Sequence, residues 1–281
     1  MSLNNPKPEL SLEFFPPQTP EGATRLKVER DRLAALEPAF FSVTYGAGGS
    51  TRERTFSVVK EIAAEGRPVA PHLSCIGFTR AGILEILHEY RAAGIRRIVA
   101  LRGDLPSGMV DVGELRYANE LVEFIRAETG DTFHIVVGAY PEWHPQAKSP
   151  KDDLQNFARK VKAGADSAIT QYFYNADAYF HFMDEVRALG VEIPVIPGVM
   201  PIASFSKLAR FSDASGAEIP RWMRKKFESY GDDTDSIRAF GLDVLTELCE
   251  RLLQGGAPGL HFYSLNQATL TETIWRRLIP A

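Results

Sequence analysis

Short runs of β-branched and aromatic residues, each ended by glycine, proline or a polar residue, alternate along this chain with longer stretches whose apolar positions recur every three or four residues. The short runs cover 10–15, 40–45, 69–74, 97–101, 133–139, 167–173, 193–199 and 260–264. They are almost continuously apolar, as strands covered on both faces are, so they predict a parallel sheet. The stretches between them, at 25–36, 54–64, 81–93, 115–127, 154–163, 176–189 and 242–253, predict amphipathic helices. Glycine stands just beyond most of these patterns, at Gly66, Gly94, Gly130, Gly164, Gly190 and Gly256, where a left-handed C-cap suits a residue without Cβ. Eight strand-then-helix units predict an α/β fold closed as a (β/α)8 TIM barrel. A doubly wound sheet is the rival, but no strand leads into a Gly-x-Gly-x-x-Gly turn. The long segment 205–241 predicts extra helices between strands 7 and 8.

Composition narrows the function. A chain of 281 residues, 44% hydrophobic, can bury one large core, so a single domain over 1–281 is expected, with the polar segment 1–9 as a flexible N-terminus. A net charge of -4 gives no general attraction to nucleic acid or anionic lipid, which leaves small molecules as the expected partners. No apolar run approaches the ~18 residues of a membrane span, and the first residues lack the apolar core of a signal peptide. A cytoplasmic protein is expected. The 2 cysteines, Cys75 and Cys249, suit neither a disulfide framework nor a cysteine metal cluster, and no metal is expected.

Glu13 is the position that most needs a reason. It lies in the apolar run Leu10, Leu12, Phe14, Phe15, halted by Pro16-Pro17, and a buried ionisable group there calls for a partner or a use. Barrel enzymes build their sites at the C-terminal strand ends, and polar residues recur there: Glu13, Thr44, Tyr45, His72, Arg102, Asp104, Tyr140, His144, Gln171 and Tyr263. Each has a plainer role open to it. Glu13 on an edge strand could face water, His72 could be a core histidine, and Arg102 could pair with Asp104. No Ser/His/Asp or Cys/His signature is evident, so a carboxylic acid assisting chemistry on a flat, stacked ring fits better than acyl transfer or metal hydrolysis.

The strand ends carry Leu12-Glu13-Phe14-Phe15-Pro16-Pro17, Ser42-Val43-Thr44-Tyr45-Gly46-Ala47, Ala70-Pro71-His72-Leu73, Leu101-Arg102-Gly103-Asp104-Leu105-Pro106, Ala139-Tyr140-Pro141-Glu142, Ile169-Thr170-Gln171-Tyr172-Phe173, Ile196-Pro197-Gly198 and His261-Phe262-Tyr263-Ser264-Leu265-Asn266. In this order they closely resemble the bacterial methylenetetrahydrofolate reductases, over essentially the whole chain. The resemblance implies FAD bound without a Rossmann fold, with NADH or NADPH as co-substrate. The reaction it implies is ping-pong reduction of 5,10-methylenetetrahydrofolate to 5-methyltetrahydrofolate, feeding methionine synthesis in a homo-oligomer, often a tetramer. Glu13 resembles the family's general acid, which would have to be protonated near neutral pH; its apolar flanks suggest that form. Asp104 resembles an aspartate at the flavin–folate junction, and Gln171, Phe211, Tyr263 and Gln267 resemble substrate contacts. Thr44, Tyr45, Ala47, His72, Arg102, Gly103, Asp104, Tyr117, Ala118, Tyr140, His144 and Ala147 resemble FAD contacts. So do Asp153, Asn156, Arg159 and Lys160, of which the last three fall at i, i+3 and i+4 on one helical face, with two cations for a pyrophosphate. Gln267 departs from the family, where an arginine can meet the folate's glutamate tail, so Arg221, Arg224 or Lys225 is expected to supply that charge. Two other readings remain at this point: a pterin-binding methyltransferase barrel without flavin, and a non-catalytic flavin- or folate-binding module.

Overall fold

The computed structural model describes residues 8–45, 50–104 and 113–279. The strands are β1 (Glu9–Phe14), β2 (Phe40–Val43), β3 (Val69–Ser74), β4 (Arg97–Leu101), β5 (His134–Ala139), β6 (Ser167–Thr170), β7 (Val195–Ile196), β8 (Gly198–Val199) and β9 (Gly259–Tyr263). The helices are α1 (Pro20–Ala34), α2 (Ser50–Ala64), α3 (Arg80–Ala92), α4 (Ala118–Thr129), α5 (Pro150–Lys162), α6 (Ala176–Ala188), α7 (Phe205–Ser215), α8 (Arg221–Tyr230), α9 (Thr234–Gln254) and α10 (Thr269–Leu278). All strand pairs are parallel, in the order β7-β6-β5-β4-β3-β2-β1-β9-β8. This is the expected TIM-type barrel, with α7 and α8 added before β9.

The predicted strand at 193–199 is divided in two. Pro197 has no N–H to give a ladder, so Val195–Ile196 pairs only with β6 and Gly198–Val199 only with β9. The barrel closes through the proline itself, whose carbonyl accepts from His261 N at 2.9 Å. Gly198 is required there by close approach: a Cβ would stand 2.2 Å from the Thr170 carbonyl oxygen, and Gly198 N donates to Thr170 Oγ1 at 2.9 Å. Two other differences concern ends. α1 starts five residues before its periodic pattern because Thr19 caps it, accepting from Gly22 N at 3.1 Å, with Pro20 in the first turn. The last helix, α10, was not predicted; it buries Ile274, Trp275 and Leu278 against the core. Strand β1 begins at Glu9, inside the segment expected to be a flexible tail, while 1–7 lie outside the described residues.

Two apolar layers hold this arrangement. The larger lies between strands and helices and takes one face of each strand, including Leu10, Leu12 and Phe14 of β1. The smaller fills the barrel itself with Phe40, Ala70, Val99, Val136, Ile169 and Ile196, backed by Leu101 and Tyr263. At about 25 cal/mol per Å2, each fully buried large side chain in such layers contributes roughly 1.5–3 kcal/mol. The inner plug also sets the floor of the barrel mouth. No helix among the described residues is long and apolar enough to cross a membrane.

Candidate active site

The two-residue period of a strand decides which side chains reach the barrel axis. Ser11 and Glu13 share the inner face of β1, His261 and Tyr263 that of β9, and the register sets Ser11 opposite His261 and Glu13 opposite Tyr263. His72 enters from β3. Ser11 Oγ and His261 Nδ1 are hydrogen-bonded at 2.8 Å. On the other side of its ring, His261 Nε2 is 3.8 Å from Glu13 Oε2, and His72 Nε2 is 3.2 Å from the same oxygen. Neither Nε2 has an aligned hydrogen-bond partner, so both imidazoles keep a polar edge turned on the carboxylate.

The charge state of Glu13 differs from the expectation. Burial by itself raises its carboxyl, but the charge of His72 and the close approach of both imidazoles outweigh burial and lower it to about 2. The flanking Leu12 and Phe14 point away from Glu13 into the helix-covered layer, and Phe15 is 45% exposed, so the apolar run does not neutralise the acid. Among the described residues no group of three or more His, Cys, Asp or Glu is arranged to hold a metal ion.

Glu13 lies at one side of a cavity of about 490 Å3 that also receives His72, Asp104, Tyr140, His144, Gln171, Phe211 and Tyr263. Phe211 comes from α7, the added helix, and Tyr263 is fixed across the barrel by its hydroxyl, which donates to the Thr170 carbonyl at 2.6 Å. Gln171 Oε1 accepts from Tyr172 N at 3.0 Å, leaving its amide NH2 for a ligand. Arg102 does not pair with Asp104. Its guanidinium donates to the Gly103 carbonyl at 3.2 Å and to Gln146 Oε1, and Asp104, which has no hydrogen bond or ion pair among the described residues, lines the cavity. Gly103 between them has φ 86°, and a Cβ there would meet Ser74 Oγ at 1.9 Å, so glycine is required.

Of the remaining expected cofactor contacts, Tyr140 and His144 line this cavity, whereas Thr44, Tyr45, Tyr117, Ala118 and Asp153 are not among the residues that line it. Thr44 N donates to the Phe14 carbonyl at 2.9 Å, and the buried Tyr45 hydroxyl has no hydrogen-bond partner among the described residues. Tyr117 is exposed at the start of α4, with Ala118 the first residue of that helix. Ala147 N donates to the His144 carbonyl at 2.8 Å, and Asp153 Oδ2 accepts from His144 N at 2.8 Å, which ties α5 to the loop after β5. Burial pushes the Tyr140 phenol up to about 12, and its ring meets His144 edge-on with centroids 4.5 Å apart.

Lys160 and Arg159 do not share a face in practice. Lys160 turns inward and donates to the Gly138 carbonyl; burial lowers its pKa to about 8 against the opposing field of Asp153. Arg159 bonds Asn156 Oδ1 at 2.6 Å and lines a separate groove beside Leu189. Ala47, with the motif residues Leu105 and Pro106, lies outside the described residues. The ring faces of Tyr140, His144, Phe211 and Tyr263 in the cavity would suit a planar cofactor such as FAD, whereas Tyr45 and Lys160, the latter engaged with the Gly138 carbonyl, are not among the lining residues.

Sequence reasoning missed His261 and Ser11, although the alternation Ser11/Glu13 and His261/Tyr263 signals shared faces. None of the cations expected to accompany Gln267 lines the groove that Gln267 borders. Arg221, Arg224 and Lys225 lie on α8, where Lys225 pairs with Glu228 at 3.1 Å and Arg224 stands over the Phe205 ring. The groove containing Gln267 contains Arg25 instead.

Comparison with known proteins agrees with this geometry. The family profile described as methylenetetrahydrofolate reductase matches residues 1–279. The 5,10-methylenetetrahydrofolate reductase of Escherichia coli (strain K12) is 42% identical over 270 residues, covering 96% of this chain and 90% of the relative. That of Pectobacterium carotovorum subsp. carotovorum is 40% identical over 272 residues, covering 96% and 89%. Among solved structures, an uncharacterized protein from Clostridium thermocellum that binds two copies of 5-methyl-5,6,7,8-tetrahydrofolic acid has the same fold at a TM-score of 0.67 and 17% identity, over 97% of this chain and 94% of that one. The chain therefore belongs to the methylenetetrahydrofolate reductase family.

Proposed function

We propose that this protein reduces 5,10-methylenetetrahydrofolate to 5-methyltetrahydrofolate with NADH or NADPH, through FAD in a ping-pong cycle that feeds methionine synthesis. We place it in the cytoplasm as a homo-oligomer of single-domain subunits. The observation that carries the reading is Glu13, set between two imidazoles at one side of a cavity that also receives Asp104 and Gln171. FAD, when bound, would supply the hydride transfer from nicotinamide to folate.

The side chains do the rest. Tyr140, His144, Arg102 and Lys160, with Asp153, would hold the cofactor. Phe211 would stack on the ring of whichever substrate is present. Gln171 offers its free amide NH2 to the pterin, and Asp104 a carboxylate. Tyr263 contributes a ring face, its hydroxyl being engaged with Thr170.

Glu13 would deliver a proton to N10 of the folate. That breaks the C–N10 bond of the five-membered ring and leaves an iminium whose carbon accepts hydride. Because Glu13 is held as an anion in the free site, the proton must be shared within the cluster: an imidazole passes it to Glu13 as Glu13 gives it to N10. Ser11, bonded to Nδ1 of His261, fixes the orientation of that ring.

The test is an anaerobic visible spectrum of the purified protein. A flavin band that bleaches with nicotinamide and returns with methylenetetrahydrofolate is expected. A band that bleaches and does not return, or a protein that takes up no FAD, would overturn the reading.

A further inference from the structure

Helix α7 brings Phe211 to the cavity, yet its apolar hold on the barrel is slight: of its 11 residues, Leu208 and Ser212 are the buried ones. At its start the hold is apolar, for Phe205 stacks on Phe227 with ring centroids 5.2 Å apart and Leu208 enters the core. One turn on, beside Phe211, the buried side chain is the hydroxyl of Ser212. A buried hydroxyl needs a partner.

Tyr172, at the end of β6 and 5% exposed, supplies it. Ser215 Oγ donates to the Tyr172 hydroxyl at 3.1 Å, and that hydroxyl lies 3.2 Å from Ser212 Oγ, to which it can give its own proton. Ser212 and Ser215 are three residues apart and share one helical face, so a single phenol oxygen spans a turn of α7.

The same residue fixes Gln171, whose Oε1 accepts from Tyr172 N at 3.0 Å. Gln171 and Phe211, which both line the cavity, thus take their places from opposite ends of Tyr172. Past the helix end at Gly216, Glu218 N donates to Glu142 Oε2 at 2.8 Å. That bond holds the chain after α7; the turn that bears Phe211 is held by the phenol.

We propose that Tyr172 is a positioning residue: through Ser212 and Ser215 its hydroxyl sets the place of α7, and with it the ring face that Phe211 offers to the substrate. The proposal rests on the stacking role given to Phe211 above. Because the Tyr172 ring also lines the cavity, the hydroxyl has to be tested apart from the ring, which Tyr172→Phe does. Hydrogen exchange of the protein as purified reads the anchor without turnover. Tyr172→Phe should speed exchange of the amides of residues 208–215 by about fivefold or more, while those of β1 and β9 keep their rates. Kinetics read the consequence: kcat/KM for methylenetetrahydrofolate should fall about three- to tenfold, mostly through KM. Ser212→Ala combined with Ser215→Ala should reproduce this loss, and all three substitutions together should be no worse. In a Phe211→Ala protein, adding Tyr172→Phe should cost less than about twofold further, because the ring being positioned is gone. Unchanged exchange in α7, or an equal cost of Tyr172→Phe with and without the Phe211 ring, overturns the positioning role and leaves the reductase reading standing. If the unaltered protein reduces no methylenetetrahydrofolate, the reductase reading falls and the positioning role falls with it.

Discussion

Two glutamates at the same end of the barrel, Glu13 and Glu142, are shifted in opposite directions. Burial raises both. At Glu13 the imidazoles of His72 and His261 reverse the effect and lower the carboxyl to about 2. At Glu142, in the loop after β5, burial prevails and raises it to about 7; the hydrogen bond from Glu218 N at 2.8 Å opposes this but does not offset it, and the Glu218 charge adds to the rise. The partner, not the depth, sets the sign. A buried carboxylate facing two imidazoles is a charge held ready for chemistry, whereas one facing a backbone amide and a second carboxylate holds its proton to higher pH.

The comparison breaks first at Glu13. Glu13→Gln should keep flavin and its bleaching by nicotinamide but lose folate reduction by about 10²–10⁴-fold, the range for a positioned acid. Single-turnover reoxidation by methylenetetrahydrofolate measures this directly, and near-normal reoxidation would remove Glu13 from the chemistry. The imidazoles come next. His72→Asn removes the largest opposing influence on Glu13, so its carboxyl should rise toward the ordinary range. The alkaline limb of kcat/KM for folate, which reports the cluster that must carry the proton, should then move to lower pH, with a loss of about tenfold to a hundredfold at neutral pH. A pH profile superimposable on that of the unaltered protein would mean that His72 does not hold Glu13 ionised. The same pair has a stability signature. Since the folded pKa of Glu13 lies below its unfolded value of 4.5, its contribution is full above about pH 4.5 and is lost as pH falls toward 2.

Much of this was legible in the sequence, and what was not is instructive. Strand-like runs ending in polar residues placed the barrel and its mouth, because strand burial and active-site position both follow from the local pattern. The division at Pro197 was legible in principle, since a missing N–H is a property of one residue. The charge of Glu13 was not: Leu12 and Phe14 adjoin it in sequence but face the other layer, while His261, nearly 250 residues away, faces it through the β1–β9 register. Arg159 and Lys160 show the same limit at helix scale, for spacing put them on one face, yet Lys160 turns inward to the Gly138 carbonyl.

The smallest effect is expected at Glu142, and it sharpens the contrast most. Its folded pKa is raised, so between about pH 4.5 and 7 the folded protein holds a proton that the unfolded chain has released, and stability falls as pH rises through that window. Gln in its place cannot ionise but can still accept from Glu218 N. Glu142→Gln should therefore match the unaltered protein at pH 5 and exceed it at pH 8 by about 1 kcal/mol, the full shift being discounted for a group that solvent partly screens. Urea unfolding at the two pH values measures it. A difference that is equal at both would show that Glu142 titrates as an ordinary surface acid. Substitution at Glu13 should change acid stability with the opposite sign, since there the folded protein favours the charge that Glu142 resists.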